Sequence, residues 1–136
     1  MKDSLDNDFY ETVCRMSPVG LFRTDVNGLL VYVSDKFQDI VNLNHEDLMG
    51  QSWMKSIHSE DYKDVVTSFR EAVRTESNWN IEFRFRTKEK KVTWVLGQAS
   101  RINGGGKGLV GTITNLHKKK SFLTELETMR KSFTTK

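Results

Sequence analysis

The alternation of apolar and polar residues predicts an antiparallel sheet built from short strands. Residues 79–87 show a period of two, typical of a strand with one buried face. The runs 92–102 and 108–116 are two further β-prone stretches joined by a glycine-rich segment. Near the other end, Gly20–Asp25 and Leu29–Val33 flank an Asn-Gly pair, which supplies the positive φ that a tight hairpin requires.

Helical spacing marks the segments between and around these strands. Residues 4–16 carry Leu5, Phe9, Val13 and Met16 at intervals of four, four and three, and proline follows at position 18. Ser34 is a suitable N-cap for a short helix, and residues 43–58 predict only short helical turns. Ser59 is the expected N-cap of the clearest helix in the chain, the central helix. The apolar face of that helix consists of Tyr62, Val65, Val66, Phe69 and Val73.

The order of elements is therefore helix, two strands, several helices, three strands and an exit helix that begins at Lys118. Strands and helices are segregated rather than alternating, which predicts an α+β fold with an antiparallel sheet. The exit helix has a narrow apolar stripe with heptad-like spacing. This stripe consists of Phe122, Leu126, Met129 and Phe133.

Composition and charge restrict the classes of function. The chain has 136 residues, 37% of them apolar, and a single cysteine, so one domain without a disulfide framework is expected. No apolar run is long enough to span a membrane, and we expect a cytoplasmic domain without membrane contact. The net charge of +3 arises from residues 117–136, which hold six basic and two acidic residues. Nucleic-acid binding through this basic tail is an alternative, but we expect none, because no basic groove interleaved with aromatic residues is evident.

The glycine-rich segment "INGGGKGLVG" (residues 102–111) invites comparison with a phosphate-binding loop. Such a loop needs Gly, four residues and then Gly-Lys-Ser/Thr, between a strand and a helix. Here Arg101 occupies the first position, Gly108 stands where a hydroxyl is required, and a strand follows. The segment is therefore interpreted as a turn between two neighbouring strands.

Four strings in this order resemble those of a PAS domain with a trailing PAC segment. They are "GLFRTDVNGLLVYVSDKF", "SIHSEDY", "EFRFRTKEKKVTWV" and "GLVGTITNLHKKK", and the resemblance covers about residues 10–120. It implies a five-stranded antiparallel sheet in the order 2-1-5-4-3, with the helices on one face. It also implies a division into an N-terminal flanking helix (1–17), a PAS core (18–117) and a C-terminal exit or signalling helix (118–136).

The resemblance implies sensing or relaying of signals beside an output domain, often a histidine kinase or a nucleotide cyclase. Three positions depart from the family pattern. Ser34 stands where Asn is frequent, while Asn115 and His117 replace the Asp and Thr of the exit motif. The Asp of that motif couples core to exit helix in the family, and Asn115 lacks the charge that strengthens such a hydrogen bond.

Cofactor and catalytic chemistry find little support in the residues. A flavin adduct needs a cysteine on a short helix beside the flavin, whereas Cys14 precedes the first strand. Haem needs an axial ligand on the central helix, and residues 60–76 contain no histidine. His45 and His58 are interpreted as surface or capping residues, and no spacing typical of a metal site or a catalytic motif occurs.

A set of apolar residues is expected to face the interior between sheet and helices. Either these side chains fill one another's space, or they enclose a small apolar or aromatic ligand, and both interpretations stay open. The candidate cavity residues are Phe22, Phe37, Ile40, Leu48, Trp53, Ile57, Val65, Phe69, Phe83, Trp94 and Ile113.

The exit helix gives the strongest functional argument. An isolated helix of about 15 residues is marginal in water, so its apolar stripe needs a cover. A second copy of the helix, the N-terminal helix or the outer face of the sheet are the candidates, and a homodimer is expected. The sequence thus predicts a non-catalytic sensory module that relays a small-ligand or partner signal through the last strand and the exit helix. The signal leaves at Asn115 and His117 and reaches an output domain in cis, such as a histidine kinase, or a partner signalling protein. The alternative is a ligand-free dimerisation module with a solid core.

Overall fold

The computed structural model of the chain describes residues 8, 9, 12, 16, 18–102 and 108–134, and of residues 117–123, 133 and 134 it describes the backbone alone. The described residues 8, 9, 12 and 16 are helical, as predicted for that segment. The remainder of the predicted N-terminal helix and the glycine run at 103–107 lie outside the described residues.

The first two strands, β1 (Gly20–Thr24) and β2 (Leu30–Val33), form the predicted antiparallel hairpin. The carboxylate of Asp25 accepts two backbone N–H groups of the turn, at 2.9 and 3.0 Å. Gly28 adopts φ 83°, a conformation that glycine reaches without steric cost. Each strand is one residue shorter than expected, because Asp25 and Leu29 close the turn through a backbone hydrogen bond of 2.9 Å.

Short helical elements follow β2, as the sequence predicted. They are α1 (Asp35–Val41), α2 (His45–Leu48) and a 3-10 helix (Ser52–Ser56). The hydroxyl of Ser34 accepts the backbone N–H of Phe37 at 3.2 Å, so the predicted N-cap is confirmed.

The central helix α3 (Tyr62–Thr75) begins later than expected. The predicted N-cap Ser59 is wrong, since Asp61 occupies the N-cap position. The carboxylate of Asp61 makes no cap hydrogen bond and is bound instead by Arg84. Tyr62, the first helical residue, is 45% exposed and does not join the apolar face as expected, whereas Val65, Val66, Phe69 and Ala72 are buried.

Three long strands complete the sheet: β3 (Trp79–Arg86), β4 (Val92–Arg101) and β5 (Leu109–Asn115). All pairings are antiparallel, and the order is β2-β1-β5-β4-β3, as the resemblance implied. The buried sides of α1 and α3 share one hydrophobic core with the inner face of this sheet. The strands β4 and β5 are neighbours, which agrees with the interpretation of the glycine-rich segment as a turn.

The exit helix α4 (Leu116–Thr134) follows β5 without an intervening loop. It begins two residues before the predicted start at Lys118. Leu116 is only 2% exposed, so the first residue of α4 is anchored in the protein. In contrast, the described side chains from Thr124 to Ser132 are all exposed.

Candidate functional site

A small cavity of about 10 Å³ lies between the helices and the inner face of the sheet. It is lined only by apolar and aromatic side chains, namely Phe22, Leu30, Phe37, Trp53, Phe69, Trp79, Phe85 and Ile113. A space of this size is at the lower limit for one water molecule. A water also needs two to four polar partners, which a lining of this chemistry does not supply.

Aromatic rings occupy the volume in which a ligand would lie. The ring centroids of Trp53 and Phe69 are 5.0 Å apart, and those of Phe69 and Trp79 are 5.1 Å apart, both in edge-to-face geometry. Phe22 meets Trp79 in the same manner at 6.4 Å. Such arrangements are favourable beyond the burial of the ring surfaces.

Two glycines allow these rings to lie against the sheet. A Cβ atom at Gly97 would stand 2.7 Å from the ring of Trp79, and one at Gly111 would stand 2.3 Å from Phe22. Any larger residue at these positions would displace an aromatic ring. The glycines of β4 and β5 are therefore part of the reason why the cavity is small.

The two buried indole groups differ in their hydrogen bonding. The Nε1–H of Trp79 donates to the hydroxyl of Ser68 at 3.0 Å. The Nε1–H of Trp53 is buried and finds no partner among the described residues. An unsatisfied buried donor is unfavourable by about 1–3 kcal/mol. Among the described side chains, Trp53 is the one with a buried polar atom that is open to an acceptor.

Most of the predicted cavity residues lie in the hydrophobic core, although a bound ligand is not thereby tested. The buried ones are Phe22, Phe37, Ile40, Leu48, Trp53, Ile57, Val65, Phe69, Phe83 and Ile113. Of these, Phe22, Phe37, Trp53, Phe69 and Ile113 line the cavity. Sequence reasoning missed Leu30, Trp79 and Phe85, although the alternation in residues 79–87 already placed two of them on the inner face.

The prediction that Trp94 faces the cavity is wrong. Trp94 is 42% exposed and lies on the outer face of the sheet. Its neighbour Val95 is fully buried, and residues alternate between the faces of a strand. The inner face of β4 carries Val95, Gly97 and Ala99, so the small residues point inward and the large one points outward.

Trp94 instead belongs to a polar cluster that joins β3, β4 and the start of α3. The carboxylate of Asp61 accepts from the Nε and Nη2 atoms of Arg84 at 2.9 and 2.7 Å, and from its backbone N–H at 2.9 Å. The Nη2 atom also donates to Glu60 at 3.1 Å. The guanidinium carbon lies 4.8 Å from the ring centroid of Trp94.

Electrostatics within this cluster favour the charged forms. The hydrogen bond from the Arg84 side chain holds the pKa of Asp61 below its ordinary value of 3.8, and partial burial opposes this effect. The same hydrogen bond raises the pKa of Arg84 further. Both groups are therefore ionised at neutral pH.

The predicted exit residues are described only in part. Asn115 is the last residue of β5 and pairs with Val95 of β4. On α4, Leu126 and Met129 are 45% and 56% exposed. The side chains of His117, Phe122 and Phe133 lie outside the described residues.

The described residues do not fit a flavin or a haem. The cavity is far smaller than either ring system, and none of its lining residues is a cysteine or a histidine. His58 acts in a local turn, since its Nδ1 atom accepts the backbone N–H of Glu60 at 3.1 Å, and His45 is exposed.

In the described part of the chain, no group of three His, Cys, Asp or Glu residues is arranged to hold a metal ion. Among the described helices, none is long and apolar enough to cross a membrane.

The strand order and the helices on one face define an α+β fold with a five-stranded antiparallel sheet. The family model for the PAS fold matches residues 30–113, more than half of the chain. The chain belongs to the PAS family, whose members are sensory domains of signalling proteins.

Individual comparisons agree with this membership. The chain is 30% identical over 83 residues to the White collar 1 protein of Neurospora crassa. The matched region is 61% of this chain and only 7% of that protein. Among solved structures, the PAS domain of a Colwellia psychrerythraea protein aligns with a TM-score of 0.63 at 16% identity, over 79% of this chain and 94% of that one. A sensory box histidine kinase/response regulator from Burkholderia thailandensis aligns with a TM-score of 0.60 at 19% identity, over 91% and 96%. The structural likenesses show the shared fold.

Proposed function

We propose that this chain is a non-catalytic relay module whose input is contact with a partner and whose output leaves through β5 and α4. The carrying observation is the cavity of about 10 Å³ inside an aromatic core. A core in which rings already occupy the space favours an input at the surface over a ligand held within. This proposal combines the solid core of the alternative with the relay role of the main prediction from the sequence.

The junction of β5 and α4 supports the proposed output. β5 lies in the middle of the sheet between β1 and β4, and α4 continues it directly at Leu116. Because Leu116 is buried, a shift of β5 is expected to carry the root of α4 with it. Asn115 stands at this junction, and it is proposed as the residue through which the signal leaves.

The exposed stripe on α4 supports a homodimer. Leu126 and Met129 are three residues apart and face solvent in the described chain, and an equivalent helix of a second copy would cover both.

The output domain in cis, or a separate partner, is proposed to be a signalling enzyme such as a histidine kinase. The fold shared with the Burkholderia sensory box histidine kinase supports this choice.

Native mass spectrometry of the purified chain, together with an absorbance spectrum, tests the solid core. The expected result is the mass of the polypeptide, or of its dimer, without an added small molecule. A bound molecule at one equivalent per chain would overturn the solid core and favour ligand sensing.

Ligand sensing is the second candidate, and the unpaired Nε1–H of Trp53 supports it. A ligand here would be small and largely apolar or aromatic, with one acceptor atom for this donor. Its entry would require the rings of Trp53, Phe69 and Trp79 to move apart. If a molecule is found bound, Trp53→Phe is expected to lower its occupancy, whereas unchanged occupancy would exclude Trp53 as its donor.

A further inference from the structure

The segment that precedes α3 is fixed to the edge strand β3 chiefly through Arg84. Its carbonyl accepts the backbone N–H of His58 at 2.9 Å, and its backbone and side-chain N–H groups donate to Asp61. Next to it, Phe85 forms a bridge with Ile57. The start of α3 therefore cannot move without breaking contacts to Arg84.

The side chain of Arg84 also contacts Trp94 on the outer face of the sheet. Arg84 stands directly across from Trp94 in the ladder between β3 and β4, and its guanidinium lies over the indole. The next residue of β4, Val95, pairs with Asn115, after which α4 begins. Trp94 is thus only one residue away, along β4, from the residue that pairs with Asn115, and α4 begins directly after Asn115.

The ion pair of Arg84 and Asp61 is less exposed to solvent than the other ion pairs between described residues. The side chains of Arg84 and Asp61 are 20% and 18% exposed. Arg84 also pairs with Glu60, whose side chain is 73% exposed. The pair of Arg74 and Glu71 is 69% and 57% exposed, and the pairs Arg101–Glu76 and Arg130–Glu127 are similarly open. Exposed pairs contribute little, whereas a shielded pair with several hydrogen bonds holds its geometry.

We propose that Arg84 is a positioning residue that couples the start of the central helix to Trp94 and to the root of α4. The inference rests on the proposed relay function and names a route within it. A guanidinium suits this role because it is planar: its edge binds a carboxylate while its face stacks on an aromatic ring. Lysine carries the same charge but lacks this double geometry, so Arg84→Lys is expected to lose the coupling.

A double-mutant cycle tests the coupling. Asp61→Asn and Trp94→Leu are made singly and together, and unfolding equilibrium constants are measured in urea. In the presence of Arg84 the two effects are expected to deviate from additivity by about twofold or more, the lower range for coupled residues. In the Arg84→Lys background they are expected to add. Additivity in the native background would overturn the inference.

A second measurement separates positioning from a merely structural role. Hydrogen exchange at the amides of Asn115 and Leu116 is expected to accelerate in Asp61→Asn and in Arg84→Lys under native conditions. The matched control is Arg74→Gln, which removes the exposed ion pair with Glu71 on α3. It is expected to leave the exchange at Asn115 and Leu116 unchanged. Unchanged exchange in both Asp61→Asn and Arg84→Lys would overturn the inference. If the coupling is found but α4 transmits nothing to a partner, the proposed relay function fails and the inference about Arg84 stands. Failure of the inference and failure of the proposed function are therefore distinguishable.

Discussion

The indole of Trp79 donates a hydrogen bond of 3.0 Å to the hydroxyl of Ser68, which fixes the sheet to the central helix inside the core. Trp53 packs beside it with ring centroids 6.4 Å apart, and its own Nε1–H has no partner among the described residues. The two rings are about equally buried, at 4% and 3% exposure. They differ chiefly in whether the donor is satisfied, which makes them a natural pair for comparison.

Trp79→Phe is expected to destabilise the protein by at least about 1 kcal/mol more than Trp53→Phe, because it loses the net contribution of one hydrogen bond whereas Trp53→Phe removes an unsatisfied donor. Both changes remove similar ring volume, so that part of the effect cancels in the comparison. Urea denaturation of the two variants, followed by far-UV circular dichroism, measures the difference. Equal losses of stability would contradict the assigned bond between Trp79 and Ser68.

Gly97→Ala is expected to destabilise the protein by about 1–3 kcal/mol, which is typical of overpacking. The added methyl group would stand 2.7 Å from the ring of Trp79. Because a smaller ring leaves room for it, combining Gly97→Ala with Trp79→Phe is expected to cost less than the sum of the two single effects. Ser100→Ala, on the exposed face of the same strand, is the control. Strict additivity of the pair would show that the clash is absorbed elsewhere.

Local features of the fold were predictable from the sequence because neighbouring residues determine them. The Asn-Gly hairpin and the Ser34 cap depend on side chains within four positions of each other, and both are confirmed. The bond between Arg84 and Asp61 joins residues 23 positions apart and depends on how α3 docks on β3. No local pattern specifies that docking. For the same reason the N-cap of α3 was misplaced at Ser59.

The size of the cavity was not predictable either, because it depends on what faces each ring across the sheet. The list of expected cavity residues included Trp94 and omitted Trp79. Alternation alone does not place Trp94 outside, because Val92, Trp94 and Leu96 are more apolar than Thr93, Val95 and Gly97. The role of Gly97 in admitting the ring of Trp79 becomes evident only once the two strands are paired.

The contribution of Asp61 to stability is expected to depend on pH. Its pKa in the folded protein is lowered from 3.8 by Arg84. A carboxyl with a depressed folded pKa stabilises the protein above its unfolded pKa, and this stabilisation is lost as the pH falls through the folded value. The difference in unfolding free energy between the native chain and Asp61→Asn should therefore be constant at neutral pH and shrink below pH 3.8. Urea titrations from pH 7 to pH 2.5 measure it, and a difference that grows on acidification would contradict the assignment.

The exposed stripe of α4 leads to a prediction about assembly. Replacing Leu126 and Met129 together by Ser is expected to lower the mass measured by light scattering towards the 15.7 kDa of one chain. Burying each of these side chains in a dimer is worth about 2 kcal/mol, so the double change should weaken association by more than about a hundredfold. Thr128→Ala, on the same helix between the two positions, is the control and should leave the mass unchanged. A native chain that is already monomeric at high concentration would contradict the proposed homodimer, whereas a dimer that survives the double change would place its interface elsewhere than on α4.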